Sequence, residues 1–217
     1  MVDIYAVNML SDICRYEHRL LNRLSRECRL HCENIKNKQR RAQFIVGRNL
    51  LFYIIDNLLE QKFDNKLVYT KLGKPMFINN MWNFNIAHSG DWVICAISGS
   101  EVGIDIEGVS KVSGSKYVNQ ASRIFVEKVP DLDNLSLKEE SYFWTLRESY
   151  AKLKGLSFEQ WINIDSFINI ISEDLLLNKQ QIFMKEIRCI KGYSITCCAY
   201  EKINSDIKMV QVGDLLK

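Results

Sequence analysis

Residues 92–107 have the sequence Trp-Val-Ile-Cys-Ala-Ile-Ser-Gly-Ser-Glu-Val-Gly-Ile-Asp-Ile-Glu. Residues 92–98 form an apolar run of strand length, and Gly99 and Ser100 are typical of a turn. Residues 102–107 predict a further strand, because Ile104 and Ile106 alternate with acidic residues. Together the two segments predict a β-hairpin in the middle of the chain.

Helical and strand patterns alternate on both sides of this stretch. Ser11 is a candidate N-cap for a first helix, and the order Ser136-Leu137-Lys138-Glu139 fits a capping box for a later helix that ends at Gly155. A further helical region spans residues 34–59. The remaining predicted strands are residues 1–7, 67–70, 82–87, 164–171, 181–187 and 193–200.

Each half of the chain therefore runs from helix to strands, which predicts an α+β protein built from two similar α/β halves. We expect the halves to be residues 1–108 and 109–217. The chain has 217 residues, of which 47% are hydrophobic and 25% charged. This composition is typical of a folded globular protein and leaves little room for a disordered linker.

The apolar segments of the chain are too short to cross a membrane, since the richest, residues 44–55, is interrupted by Arg48 and Asn49. The first residues lack the basic and apolar regions of an export signal. We therefore expect a cytoplasmic protein. Its seven cysteines have irregular spacing and are expected to be reduced thiols.

A basic segment precedes the strands. Between residues 15 and 48 there are ten Lys or Arg residues but only three Glu. Such an excess attracts polyanions, so the alternatives are a solvated helical face, a nucleic-acid-binding surface, a phosphorylated ligand or an acidic protein partner. Within this segment Cys28, His31 and Cys32 are spaced so that a helix brings them together, which leaves a zinc site as a further alternative.

Carboxylates in two separate segments are candidates for a cation site. Asp105 and Glu107 are two apart on a predicted strand, so both project from one face, where a divalent cation would relieve their repulsion. On the later helix, Glu148 and Lys152 are four apart and share a face. Glu148 completes a three-carboxylate site for a hard cation such as Mg²⁺, and Lys152 supplies a positive charge for phosphate. A surface ion pair is the plainer alternative for Glu148 and Lys152.

Four stretches, in this order, resemble the motifs of the pseudodimeric 4'-phosphopantetheinyl transferases, which activate nonribosomal peptide, siderophore and polyketide synthases. They are Gly-Lys-Pro-Met-Phe (73–77), Asn-Ile-Ala-His-Ser-Gly (85–90), Val-Gly-Ile-Asp-Ile-Glu (102–107) and Trp-Thr-Leu-Arg-Glu-Ser-Tyr-Ala-Lys-Leu-Lys-Gly (144–155). The likeness spans roughly residues 40 to 170 and implies a single chain folded as a pseudodimer.

The resemblance implies a role for each candidate residue. Mg²⁺ would be held by Asp105, Glu107 and Glu148 against the pyrophosphate of coenzyme A, whose oxygens Lys152 and His88 would contact. The 3'-phosphoadenosine end would be bound by Lys74 and Ser89, with Arg40 and Arg48 at its 3'-phosphate.

The implied reaction is attack of a serine hydroxyl of an acidic acyl or peptidyl carrier protein on the β-phosphorus, releasing adenosine 3',5'-bisphosphate. Glu148 is the expected general base, directly or through water. In some relatives an acidic residue of another motif has this role, but in residues 123–129 of this chain that motif is altered and its acidic residue, Glu127, is displaced. We expect a monomer, with no nucleic acid as partner. A nucleic-acid-binding module and a catalytically inactive carrier-binding scaffold are the alternatives.

Overall fold

The computed structural model describes residues 1–10, 13–58, 67–70, 74–78, 82–112, 136–156 and 181–217. Several sequence-based predictions lie outside these ranges: the N-cap at Ser11, the strand at 164–171, Gly73 of the turn motif, and the altered motif at 123–129. The structure is a mixed α+β fold with three sheets.

The described residues up to 98 form strand β1, three helices and four more strands. Their bounds are β1 Val2–Asn8, α1 Ile13–Arg23, α2 Arg26–Asn34, α3 Lys38–Leu58, β2 Leu67–Tyr69, β3 Pro75–Phe77, β4 Asn83–Ser89 and β5 Trp92–Ser98. The rest forms β6 Val102–Gly108, the short helix α4 Val109–Val112, α5 Leu137–Lys154, β7 Phe183–Glu186, β8 Tyr193–Ala199, β9 Ile203–Met209 and a 3-10 helix Val212–Leu216.

The strands form a four-stranded sheet in the order β4-β5-β1-β9, a three-stranded sheet in the order β6-β8-β7, and the β2-β3 pair. Strand β9 is parallel to β1, and all other paired strands are antiparallel. Strand β9 thus joins the sheet of β1, although more than 190 residues separate their starting residues in the chain.

The predicted hairpin of residues 92–98 and 102–107 is wrong, although both strands exist. Strand β5 pairs with β1 and β4, whereas β6 pairs with β8, Asp105 lying opposite Thr196. Residues 99–101 therefore carry the chain from one sheet to the other. Nearly all residues of both strands are buried, so each strand is covered on both faces. A two-stranded hairpin would leave these apolar strands exposed.

The two sheets pack face to face and each carries a long helix on its outer side. One core cluster lies between the sheets and includes Ile4, Ala6, Ile94, Ile104, Ile106 and Ile195. Helix α3 covers the outer face of the four-stranded sheet, and α5 covers the outer face of the three-stranded one. Alternation along β6 therefore sends Ile104 and Ile106 into the core and Asp105 towards α5.

Helix α5 has the ends that the sequence predicts. The side chain of Ser136 accepts a hydrogen bond from the amide of Glu139, while the Glu139 carboxylate accepts one from the amide of Ser136. At the other end Gly155 adopts the left-handed conformation, with φ of 64°. Both ends of the helix are thus set by local sequence.

Candidate active site

A close contact between β6 and α5 brings the predicted carboxylates and lysine together. Gly103 makes this contact possible, because a Cβ there would lie 2.0 Å from the carbonyl oxygen of Ser149 and 2.5 Å from the amide nitrogen of Leu153. One turn of α5 therefore rests directly on the backbone of β6. A glycine inside a strand is typical of a close backbone approach, and here the partner is α5.

Lys152 lies between two of the three carboxylates. Its Nζ donates to Asp105 Oδ1 over 2.5 Å and lies 4.0 Å from Glu148 Oε2. Only 4% of Asp105 is exposed, and its Oδ2 has no hydrogen-bond partner among the described residues. The cluster thus holds a buried carboxylate oxygen that is open to a further ligand.

The electrostatics of the cluster follow from burial and mutual charge. Burial raises the pKa of Glu148 to about 7; the Lys152 ammonium opposes this shift, and the carboxylates of Asp105 and Glu107 add to it. Burial also raises the pKa of Asp105, against the effect of Lys152. Burial alone would lower the pKa of Lys152, but the charges of Asp105 and Glu148 outweigh it and raise that pKa. Lys152 therefore keeps its positive charge, and the surrounding carboxylates favour the binding of additional positive charge.

Side chains of β4 join that strand to β6. The Asn85 amide oxygen accepts a hydrogen bond from the amide of Ile104 at 2.9 Å, and Ser89 Oγ accepts one from the amide of Gly108 at 3.2 Å. Ser89 also donates to Glu107 Oε2 at 2.9 Å. Moving from Asn85 to Ser89 along β4 corresponds to moving from Ile104 to Gly108 along β6, so the two strands run in the same direction. Glu107 is therefore hydrogen-bonded by a residue of β4.

The residues fit a hard divalent cation by their chemistry, although they do not enclose one. Within the ranges that the structure describes, no three His, Cys, Asp or Glu side chains lie close enough together to bind one metal ion. This holds for the carboxylates and for Cys28, His31 and Cys32. The carboxylates nevertheless supply the oxygen donors that Mg²⁺ prefers, including the unpartnered Asp105 Oδ2.

A cavity of about 200 Å³ opens between α3 and β4. Arg48, only 7% exposed, lies at this cavity with its guanidinium 5.1 Å from the ring centroid of Phe44 and 5.8 Å from that of Tyr69. Its Nη2 donates to Tyr69 Oη at 3.4 Å, and no described residue bonds to its buried Nη1. A buried guanidinium with an open donor between aromatic rings suits a ligand that combines a planar ring with an anion.

A second cavity of about 240 Å³ adjoins the first, since Pro75 and Asn85 line both. Lys152 lines it at the edge of the carboxylate cluster, together with Lys74. The Lys74 ammonium donates to the carbonyl oxygen of Lys152 at 2.7 Å, and burial lowers its pKa. Lys74 therefore also fixes the last turn of α5 to the β3 side of the cleft.

The structure brings together most of the residues that the sequence singled out. Asp105, Glu148 and Lys152 form the cluster, and His88 and Arg48 line the first cavity. Glu107 acts on Glu148 and Lys152 through its charge and is hydrogen-bonded to Ser89. Arg40 is exposed and does not line either cavity, although the resemblance pairs it with Arg48. Glu127 lies outside the described residues.

The basic segment divides into two groups in the structure. Arg48 lines the cavity, and Arg41 pairs with Glu17 at 3.1 Å. Most of the other basic side chains are exposed on α1, on α2, in the connection to α3 and at the start of α3: Arg15, Arg19, Arg23, Arg26, Lys36, Lys38 and Arg40. The exposed group forms a surface that would attract an acidic partner.

Sequence reasoning missed two residues that support the site. Asn85 holds the β6 backbone, and Gln43 donates from Nε2 to the carbonyl oxygen of Gly90 at 2.8 Å. Asn85 lies in a recognised motif, but its partner is 19 residues away. Gln43 offers one weak signal, since Gln39 lies one helical turn earlier on the same face of α3 and donates to the same oxygen.

Several curated proteins are similar to this chain, although no protein-family model matches it. The chain is 28% identical over 229 aligned residues to 4'-phosphopantetheinyl transferase gsp of Aneurinibacillus migulanus, covering 99% of this chain and 94% of that protein. It is 27% identical to 4'-phosphopantetheinyl transferase Sfp of Bacillus subtilis strain 168 and 29% identical to 4'-phosphopantetheinyl transferase ffp of Bacillus subtilis. Each of these two alignments covers 98% of this chain and 99% of the relative.

The structure thus has a cluster of carboxylates with a lysine, and two adjoining cavities, one of which is lined by a buried arginine. Over nearly its whole length, the chain is similar to 4'-phosphopantetheinyl transferases of the Sfp type. Among the described helices, none is both long and apolar enough to cross a membrane.

Proposed function

We propose that this chain transfers the 4'-phosphopantetheine group of coenzyme A to a serine of an acyl or peptidyl carrier protein, releasing adenosine 3',5'-bisphosphate. The full-length relatives are all 4'-phosphopantetheinyl transferases, and this replaces the nucleic-acid alternative. The structural observation that carries the proposal is a pair of cavities that share Pro75 and Asn85. Buried Arg48 lines one of them, and the other is lined by Lys152, which pairs with Asp105 and Glu148.

The two adjoining cavities suit the two ends of coenzyme A. The 3'-phosphoadenosine is proposed to occupy the first, where Phe44 offers an aromatic face and Arg48 an open donor. The pyrophosphate would then lie where Asn85 and Pro75 line both cavities, within reach of His88 on one side and Lys152 on the other. The proposed position of the phosphopantetheine arm is the second cavity.

Asp105, Glu107 and Glu148 are proposed to hold Mg²⁺, which supplies Lewis-acid stabilisation of charge on the transferring phosphate when it is bound. Lys152 is held by Asp105, so its ammonium is fixed in place for a phosphate oxygen instead of being mobile. Glu148 is the proposed acceptor of the carrier serine proton. One carboxylate oxygen cannot bind a cation and a proton together, so the two roles of Glu148 need its two oxygens or an intervening water.

We also propose that residues 1–108 and 109–217 are two related halves. In support, each of the two larger sheets carries one long helix on its outer face, α3 on one and α5 on the other. Each sheet also takes one strand from the other half, β9 in the sheet of α3 and β6 in the sheet of α5. The exposed basic residues of α1 and α2 complement an acidic carrier protein, which is the proposed protein partner.

The activity is tested directly by incubating the purified protein with coenzyme A, Mg²⁺ and a panel of apo carrier proteins. We expect the mass of at least one carrier to increase by one phosphopantetheine group, and the increase to disappear when EDTA removes the metal. A panel of apo acyl and peptidyl carriers that all keep their original mass would contradict the proposal.

Arg48 is expected to matter for coenzyme A binding far more than Arg40. Replacing Arg48 with Met removes the charged donor from the cavity while keeping an unbranched apolar side chain beside Phe44. We expect KM for coenzyme A to rise about 10- to 100-fold, the equivalent of a hydrogen bond to a charged group. Steady-state kinetics with one carrier protein measure this change.

Arg40→Met is the matched control, because it removes the same charge from an exposed position on the same helix. Its effect on KM should stay within about 3-fold, as for an exposed charge screened by salt. Equal effects of the two substitutions would place the 3'-phosphate outside the cavity of Arg48.

A further inference from the structure

The turn between β4 and β5 is held by two glutamines of α3. The carbonyl oxygen of Gly90 accepts hydrogen bonds from Gln43 Nε2 at 2.8 Å and from Gln39 Nε2 at 3.0 Å. A carbonyl oxygen has two acceptor positions, so the two glutamines occupy both of them. Gln43 is only 4% exposed, whereas Gln39 is exposed at the surface.

The other side of the same turn is closed by β8. Gly90 has a φ of +55°, and a Cβ at this position would lie 2.4 Å from the hydroxyl oxygen of Tyr193. The turn is therefore clamped between α3 and Tyr193. Such a clamp restricts the position of the adjacent residues of β4, including Ser89.

Ser89 carries this restriction to the proposed metal site. It precedes Gly90 and is buried, and its hydroxyl donates to Glu107 Oε2 while accepting from the amide of Gly108. A displacement of the turn would therefore shift the hydroxyl that orients Glu107. The path from α3 to that carboxylate is Gln43, Gly90, Ser89 and Glu107.

We propose that Gln43 is a positioning residue for Glu107 and that it acts through the turn at Gly90 and the hydroxyl of Ser89. The inference rests on the proposed function, in which Glu107 binds a divalent cation. Residues that orient a metal ligand through hydrogen bonds contribute to metal affinity without touching the metal. Gln43 also lines the first cavity, so it joins the proposed nucleotide site to the proposed metal site.

The test measures metal binding instead of turnover. Mn²⁺ replaces Mg²⁺, and its binding to the full-length protein is followed by electron paramagnetic resonance at saturating coenzyme A. Gln43→Met keeps the length of the side chain but removes the donor, and we expect Mn²⁺ affinity to fall about 10-fold, the lower end of the range for such residues. Ser89→Ala is expected to lower it at least as much.

Two features separate a positioning role from general damage. If Gln43 acts through Ser89, Gln43→Met added to Ser89→Ala should cause almost no further loss of Mn²⁺ affinity, because both substitutions break one path. Because Gln43 lines the first cavity, Gln43→Met should lower coenzyme A affinity measured in EDTA by less than it lowers Mn²⁺ affinity. Gln39→Met removes the second donor from the surface without altering the core, and a smaller loss in the same direction is expected.

Gln211→Met is the matched control, since Gln211 is exposed and its side chain makes no capping hydrogen bond. Independent losses that add in the double variant would overturn the proposal. A loss of coenzyme A binding in EDTA with Mn²⁺ affinity intact would also overturn it and would make Gln43 a direct nucleotide contact. A Gln43→Met variant that binds Mn²⁺ as well as wild type would overturn the positioning role. Wild-type protein that binds no Mn²⁺ in the presence of coenzyme A would instead overturn the metal-site assignment itself.

Discussion

Gly103→Ala is expected to destabilise the protein by about 3 kcal/mol or more and to remove its transferase activity, because the added methyl group has no space. The new Cβ would lie 2.0 Å from the carbonyl oxygen of Ser149 and 2.5 Å from the amide nitrogen of Leu153. Both are backbone atoms within α5, so no side-chain rotation relieves the clash. The helix itself would have to move away from β6.

That displacement would also break the site. Lys152 and Glu148 lie on α5, and Asp105 lies on β6, so a shift of the helix separates the ammonium from its closest carboxylate. Urea unfolding measures the loss of stability, and the transfer assay measures the loss of activity. The two losses are expected together, since one contact between α5 and β6 maintains both the fold and the site.

Gly99→Ala is the control for this substitution. Gly99 is exposed, and its added Cβ would come no closer than 3.3 Å to the flexible carboxylate end of Glu201. Its effect on the free energy of unfolding should stay within about 1 kcal/mol, as for most surface positions. If Gly103→Ala were no more destabilising than Gly99→Ala, the described packing of α5 on β6 would be incorrect.

Features set by neighbouring residues were accessible from the sequence. The capping box at Ser136 and the left-handed end at Gly155 depend on contacts within a few residues, and the structure confirms both. Strand pairing depends on residues far apart, and here the prediction failed. Strand β6 pairs with β8, with Val102 opposite Ala199, and no local pattern shows that this partner is preferred over β5.

In the candidate site, too, the features set by neighbouring residues were accessible from the sequence, and those set by distant residues were not. The spacing of Asp105 with Glu107 and of Glu148 with Lys152 predicted two groups that each share a face, and their chemistry suggested one three-carboxylate site. The resemblance added coenzyme A and the carrier serine. Periodicity could not distinguish Arg48 from Arg40, since both lie on α3 and only tertiary packing buries one of them. The contact of Lys74 with the carbonyl of Lys152 spans 78 residues and uses backbone, which side-chain chemistry does not reveal.

Asp105→Asn is expected to lower the rate of transfer about 1000-fold while leaving the protein folded, a loss comparable to removing a strong electrostatic group from an active site. The amide has nearly the same shape but no charge for a cation. The fold should survive for two reasons. Lys152 is 30% exposed and retains Glu148 nearby, and the neutral side chain no longer carries the cost of burying a carboxylate.

The main alternative is that Asp105 serves only as the ion-pair partner of Lys152. Asp3→Asn is the matched control, because Asp3 pairs with Lys208 at 3.3 Å on a strand outside the site and undergoes the same substitution. A ligand role requires that Asp105→Asn abolish metal-dependent transfer and Mn²⁺ binding while its melting temperature stays close to that of Asp3→Asn. If Mn²⁺ binding persisted and activity fell only in proportion to lost stability, Asp105 would be a structural partner of Lys152, and the cation would have to be held by Glu107 and Glu148 without it.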